Sequence, residues 1–289
     1  MPFSVLESET MLASGECCDG TTRASGTSAR GLHLFPMTSV ASRWPARLWL
    51  IRHGQSAGNV ARDAAHVAGA ERIALDQRDV DVPLSALGER QSQALGRWFA
   101  AGEGHGAPDA ILCSPYARAH ATARLFRDAG GAARGATLCA DERLREKEFG
   151  ILDGLTTAGI AAQIPDQAEF RRLLGKFYHR PPGGESWCDV ILRLRSLLDT
   201  VSLHYAGQQV MIVAHQVVVL CMRYILEGMN EAEILAIDRE GDVANCSVTE
   251  YVCDDKGLQL VRYNVTAPME DDAAATVTAA PDAMVGARA

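Results

Sequence analysis

The strongest constraint on this chain is an alternation between two hydrophobic periods. Three runs, RLWLI (47–51), DAILC (109–113) and QQVMIVAH (208–215), are too short for core helices, and their apolar centres lack the wet alternate positions of an open sheet. They read as strands buried on both faces. Between and after them the spacing turns helical. In 85–102, Leu87, Gln91, Leu95 and Trp98 fall near one face, with Ser85 placed as N-cap. The segment 114–131 has Pro115 in its first turn and Gly130 near its end. In 185–207, Val190, Leu194, Leu197 and Val201 form one stripe behind a Ser186/Asp189 capping pair. VVVLCMRYILEG (217–228) is an apolar helix, and ANCSVTEYVCD (244–254) and LQLVRYNV (258–265) are two closing strands. This order predicts an α/β sandwich around a mostly parallel sheet.

Composition narrows the function. A formal net charge of −8 argues against a general nucleic-acid surface, which needs basic residues to neutralise phosphates. It still allows a small basic pocket, because local field governs the binding of a small anion. No run of about 18 apolar residues occurs, so no membrane span is expected. The acidic N-terminus, MPFSVLESETMLASGECCDG, lacks the basic start of a signal peptide. Eight cysteines follow no metal-ligand spacing, and a reduced, cytoplasmic protein is the simplest expectation. Residues 1–46 and 266–289 are expected to be disordered flanks of one domain spanning 47–265. Met37 offers a later translation start.

Two of the buried strands end alike, LWLIRH at His53 and VMIVAH at His215. In open α/β sheets, ligands bind beyond the carboxyl ends of the strands. The strand DAILC runs into SPYAR, which brings Arg118 to the first turn of the next helix. Arg52, His53, Arg118 and His215 are therefore expected to converge. Taken singly, each is an ordinary polar residue at an element end, as His33, His66, His105, His120, His179 and His204 are read to be.

Together, five segments resemble the histidine phosphatase superfamily: RHGQSAGN (52–59), DVPLSALGERQSQALG (81–96), CSPYARAHATARL (113–125), ERLREKEFGILDGLT (142–156) and VAHQ (213–216). The group includes phosphoglycerate mutases, broad-specificity phosphatases and fructose-2,6-bisphosphatases. The resemblance implies a three-layer α/β/α sandwich of phosphoglycerate mutase-like fold. It implies a metal-independent phosphatase with no cofactor, acting on a small phosphorylated molecule. His53 would take the phosphoryl group, and Arg52, Arg118 and His215 would clamp its oxygens. Ser56 and Asn59 would add phosphate donors, and Gly54 would let the backbone approach closely. The acid-phosphatase branch takes its general acid from an Asp after the second His; here Gln216 stands there, so the resemblance moves the acid to Glu146.

FRRLLGKFYHRPPGGESW (170–187) is similar in spacing to the fructose-2,6-bisphosphatases, which implies that Arg172 and Lys176 hold a second anionic group and that Trp187 stands where they carry Tyr. Gln216 would join this substrate set. Two positions depart from that pattern: Thr157 replaces a Tyr and Leu220 an Arg, with Arg223 roughly one helical turn on as a partial substitute. The alternatives are a mutase-type phosphoryl transfer, or a phosphate-binding regulatory module without turnover. The oligomeric state stays open.

Overall fold

The computed structural model describes residues 43–269 and 273–278. The expectations for 1–42, and for 270–272 and 279–289, lie outside those residues. Six strands form one sheet: β1 (Arg47–Arg52), β2 (Ala110–Cys113), β3 (Thr137–Ala140), β4 (Gln209–Ala214), β5 (Val248–Asp254) and β6 (Gly257–Val265). Their order is β3-β2-β4-β1-β5-β6. The first four run parallel, while β5 pairs antiparallel with β1 and with β6. Along β1, Leu48 and Leu50 join one buried cluster, and Trp49 and Ile51 join the other. Both faces are covered, which is why the run carries no polar alternate.

The helices are α1 (Ala57–Val67), α2 (Ala86–Ala100), α3 (Ala117–Asp128), α4 (Thr157–Gln163), α5 (Pro165–Tyr178), α6 (Trp187–His204), α7 (Gln216–Leu226) and α8 (Glu231–Glu240). On one face of the sheet, Leu95 and Phe99 of α2 and Phe126 of α3 meet Trp49 and Ile51. On the other, Leu194, Leu197 and Val201 of α6 and Val217 of α7 meet Leu48 and Leu50. The layers are those of the expected sandwich, and the α6 stripe and its Ser186/Asp189 capping box fall where the spacing placed them.

Details differ where packing overrides pattern. The fully buried stripe of α2 is Gly88, Gln91, Ser92, Leu95, Gly96 and Phe99; it keeps Gln91 and Leu95 of the expected face and leaves Leu87 and Trp98 half-buried at its edge. The offset follows from close contact at Gly88, where an added Cβ would lie 1.9 Å from the carbonyl oxygen of Gln55. Pro115 precedes α3, whose N-cap is Tyr116. Strand β3 was not expected, because it is a four-residue edge strand with little buried surface.

Within the flank expected to be disordered, residues 266–269 and 273–278 pack on the domain. Ala267–Met269 form a 3-10 turn, and Ala273 and Thr278 are buried. Gln91 Nε2 donates to Ala274 O (2.9 Å) and Thr276 Oγ1 (2.9 Å), so side chains of the core satisfy this segment. Among the described residues no helix is long and apolar enough to cross a membrane.

Candidate active site

The site grows out of neighbouring parallel strand ends. β1 and β4 pair in register from Arg47↔Gln209 to Arg52↔Ala214, and His53 N donates to Ala214 O (2.9 Å). His53 and His215 therefore leave the sheet side by side, their ring centroids 5.1 Å apart and edge-to-face. Strand β2 lies on the other side of β4, and Ser114 N donates to Val213 O (3.0 Å). Helix α3 starts three residues later with Arg118 in its first turn, and Arg118 Nε donates to His53 Nε2 (3.3 Å). The four residues read from the strand ends converge.

Hydrogen-bond accounting fixes the tautomer of His53. His53 Nδ1 faces the carbonyl oxygen of Gly54 (2.7 Å), so it carries the proton, and Nε2 keeps the lone pair that Arg118 caps. Burial first, then the positive charges of Arg118 and Arg52, hold the His53 imidazole well below its ordinary pKa, in the neutral form. Ser114 Oγ accepts from Tyr116 N (3.2 Å) and also pairs with His215 Nε2 (2.8 Å). His215 Nδ1 is buried, has no hydrogen-bond partner, and lies 4.0 Å from Glu146 Oε2. Burial and the nearby Arg118 lower the His215 pKa too.

Glu146 is 6% exposed, and its Oε1 accepts from Lys147 N (2.8 Å). Burial raises its pKa above the ordinary carboxylate value, against the opposing pull of that N–H and of Arg118. Arg193 of α6 holds the loop, donating to Arg143 O (2.6 Å) and Glu146 O (3.2 Å). Glu185 completes the brace, accepting from Arg193, from Arg145 and from Glu148 N. The Arg52 guanidinium donates to Val243 O and Thr278 O, and its Nε, buried, has no partner. Burial lowers its pKa to about 10, which leaves it charged at neutral pH.

A cavity of about 360 Å³ opens on these groups, lined by Arg52, His53, Asn59, Arg118, Glu146 and Gln216 among others. Two buried, unpartnered nitrogens stand beside it, Arg52 Nε and His215 Nδ1, and the Arg52 N–H is a donor that an anion would satisfy. Asn59 Oδ1 accepts from Ser56 N (2.9 Å) and Ser56 Oγ (3.0 Å), so the amide group Asn59 can offer a ligand is the Nδ2 donor. Ser56 lines the cavity but spends its hydroxyl on this capping box of α1. Gln216 is held by Asp242, whose Oδ1 accepts from Nε2 (2.6 Å).

Sequence comparison agrees with this geometry. The model of the histidine phosphatase superfamily (branch 1) matches residues 48–266. The chain belongs to this superfamily. It is similar to the Probable phosphoglycerate mutase GpmB of Yersinia enterocolitica, 28% identical over 206 residues, 70% of this chain and 83% of that protein. It is 30% identical over 212 residues to the Bifunctional protein Rv2228c of Mycobacterium tuberculosis, covering 73% of this chain and only 51% of that longer protein. Among solved structures, the mycobacterial glucosyl-3-phosphoglycerate phosphatase Rv2419c with inorganic phosphate superposes with a TM-score of 0.58 at 26% identity, over 77% of this chain and 99% of that one.

Within this histidine phosphatase, other expectations are corrected. Arg172 is exposed on α5 and pairs with Glu169 at helical i,i+3 spacing (2.6 Å), away from the cavity. Beyond a kink at Gly175 (φ 75°), Lys176 pairs with Asp238 of α8 (2.7 Å) and lies over Trp187, itself fully buried in the core. Arg223 pairs with Glu227 (2.8 Å) and stacks on Tyr263, so it does not reach the cavity in place of Leu220, a core residue. Gly54 serves helix packing: an added Cβ would lie 2.5 Å from Gly88 O of α2.

Several site residues gave no sequence signal. Asn245 Nδ2 donates to His53 O (2.9 Å), and Thr122 Oγ1 accepts from Gly54 N (3.0 Å). Tyr116 packs its ring against His215 and donates its hydroxyl to Glu148 (2.9 Å). Asp79, on the turn before α2, sits on Arg118: Oδ1 faces Nη1 at 3.1 Å, Oδ2 accepts from Nη2 at 3.1 Å, and the Asp79 carbonyl accepts from Nη1 at 2.6 Å.

Proposed function

We propose that this histidine phosphatase hydrolyses small phosphomonoesters through a phosphohistidine on His53, without a metal ion. The observation that carries the reading is the oriented imidazole, with Nδ1–H spent on Gly54 O and a neutral ring whose Nε2 accepts from Arg118, in the field of Arg52. In the first step the Nε2 lone pair bonds to phosphorus, the ester P–O bond breaks, and Glu146 protonates the leaving alkoxide. In the second, water attacks the phosphorus, gives its proton to Glu146, and the P–N bond breaks to release inorganic phosphate. Arg52, Arg118 and His215 clamp the phosphoryl oxygens, the part a metal plays in other phosphoryl-transfer sites. Asn59 Nδ2 adds a donor, and Gln216 stands at the same wall.

His53→Ala should abolish hydrolysis of 4-nitrophenyl phosphate, acid quenching of the parent protein should trap an acid-labile phosphohistidine, and a chelator should leave the rate intact. Full activity in the His53 variant would end the proposal. The similarity to a protein named a probable phosphoglycerate mutase favours one second reading, mutase-type transfer. Interconversion of 3- and 2-phosphoglycerate without net phosphate release would decide for it.

A further inference from the structure

Helix α5 leaves one apolar face uncovered among the described residues. Phe170, Leu173 and Leu174 fall at i, i+3 and i+4, so they form one stripe, and they are 51%, 62% and 51% exposed. The other side of the helix is committed to its own domain. Gln167 pairs with His179 (3.3 Å), and Arg171 and His179 line a small cavity that shares Phe149 and Asp153 with the active-site cavity. Beyond the kink at Gly175, Phe177 is buried against Trp187 and Tyr224. Three adjoining apolar side chains held outward by an anchored helix mark a contact surface, whereas a single one does not.

The charges along the stripe select its occupant. Glu169 and Arg172 stand at one edge, about one turn apart and paired with each other (2.6 Å). Lys176 and Arg180, further along, face Asp238 (2.7 Å) and Asp189 (3.4 Å). Each of these cations has a carboxylate at hand, so they supply no uncompensated positive field of the kind that holds a helix to anionic lipid. An edge that carries Glu169 and then Arg172 is instead complementary to its own copy under two-fold symmetry. We propose that this face is the contact with a second copy of the chain. Two α5 helices lie antiparallel about a two-fold axis at the level of Phe170 and Arg171, their apolar stripes in contact and each Glu169 opposite the partner's Arg172. Three side chains exposed to this degree offer roughly 300 Å² of apolar surface per copy. Doubled, and with its charged flanks, the interface reaches about 1,000–1,200 Å², the low end for specific contacts, so the dimer is weak, with a Kd of about 10–100 μM.

The test is sedimentation velocity of the full chain from about 1 to 200 μM, a range that brackets the expected Kd. The sedimentation coefficient should rise from that of a monomer toward that of a dimer. Leu173→Glu should stay monomeric throughout with an unchanged Tm, because the side chain is exposed in the monomer. Reversing either charge alone, Glu169→Arg or Arg172→Glu, sets like charges opposite one another and should raise the Kd by about tenfold. An equimolar mixture of those two variants restores opposite charges across the interface and should dimerise with about the parent Kd. A parent chain that is monomeric at every concentration overturns the proposal, and so does a dimer that Leu173→Glu leaves intact. A mixture that associates no more tightly than its separate components overturns the antiparallel two-fold. Binding of a monomeric parent chain to phosphatidylserine vesicles overturns the proposal in favour of a lipid surface.

Discussion

Asp79 occupies the seat on Arg118 that phosphoryl oxygens would take, so replacing it with Asn should tighten phosphate binding. Both carboxylate oxygens lie 3.1 Å from guanidinium nitrogens, which puts the charge centres roughly 4 Å apart. At an effective dielectric of about 20 that separation corresponds to about 4 kcal/mol of attraction. The Asp79 side chain is 41% exposed against 6% for Arg118, so solvent screening and side-chain entropy reduce the net value to about 1 kcal/mol. Asp79→Asn should therefore bind inorganic phosphate or vanadate roughly fivefold more tightly, measured as Ki against 4-nitrophenyl phosphate turnover. The main-chain contact of Arg118 to Asp79 O survives the substitution, so Arg118 stays in place. KM should fall alongside Ki, and the gain should shrink at high salt. A Ki that is unchanged or higher in the variant refutes the competition argument.

The raised pKa of Glu146 gives a signed pH prediction: the acid form persists above the ordinary carboxylate range, and activity falls as pH rises through its folded value. Glu146→Gln should lose that alkaline limb and about 10²- to 10⁴-fold in kcat for esters with poor leaving groups. The pKa of His53 lies well below 6.5, so its neutral, nucleophilic form should sustain activity below pH 6.5; a limb at the ordinary imidazole value would count against the burial argument. The same depression makes both buried histidines a source of stability that is full above 6.5 and lost as pH falls toward their folded values, visible as an acid-side drop in Tm. Gly88→Ala should destabilise the fold by about 3 kcal/mol or more in urea melts, because the new methyl group meets the Gln55 carbonyl and has nowhere to move. Asn245→Ala should cost about 1–3 kcal/mol by leaving His53 O without its donor and the Thr276 hydroxyl proton without its acceptor, with kcat falling more than KM changes.

The elements that carry the chemistry were legible because each is local. A strand buried on both faces must be a short apolar run, so where that run stops marks the strand end, and His53 and His215 are those ends. A helix start has its own signals, which put Arg118 in the first turn of α3. Glu146 was legible only through family resemblance, since nothing in REKEF separates it from Glu148; its burial, and the brace from Arg193 and Glu185, come from α6 and the turn before it, some 40 residues away.

Sequence alone thus determined the sandwich and the meeting of two histidines and two arginines, because parallel neighbours with apolar cores end on one edge of the sheet. Tertiary structure alone decided which other cations share their cavity. Arg172 and Lys176 form a basic turn in sequence, but the kink at Gly175 and the carboxylates of Glu169 and Asp238 spend them elsewhere. Arg62 and Arg72 stand in unremarkable segments, and the bridge to Leu155 brings Arg72 to the cavity. The same holds for Asp79 on Arg118 and for residues 273–278 on Arg52, Gln91 and Asn245. Such contacts join loops far apart in the chain, and loop residues carry no period from which their partners can be read.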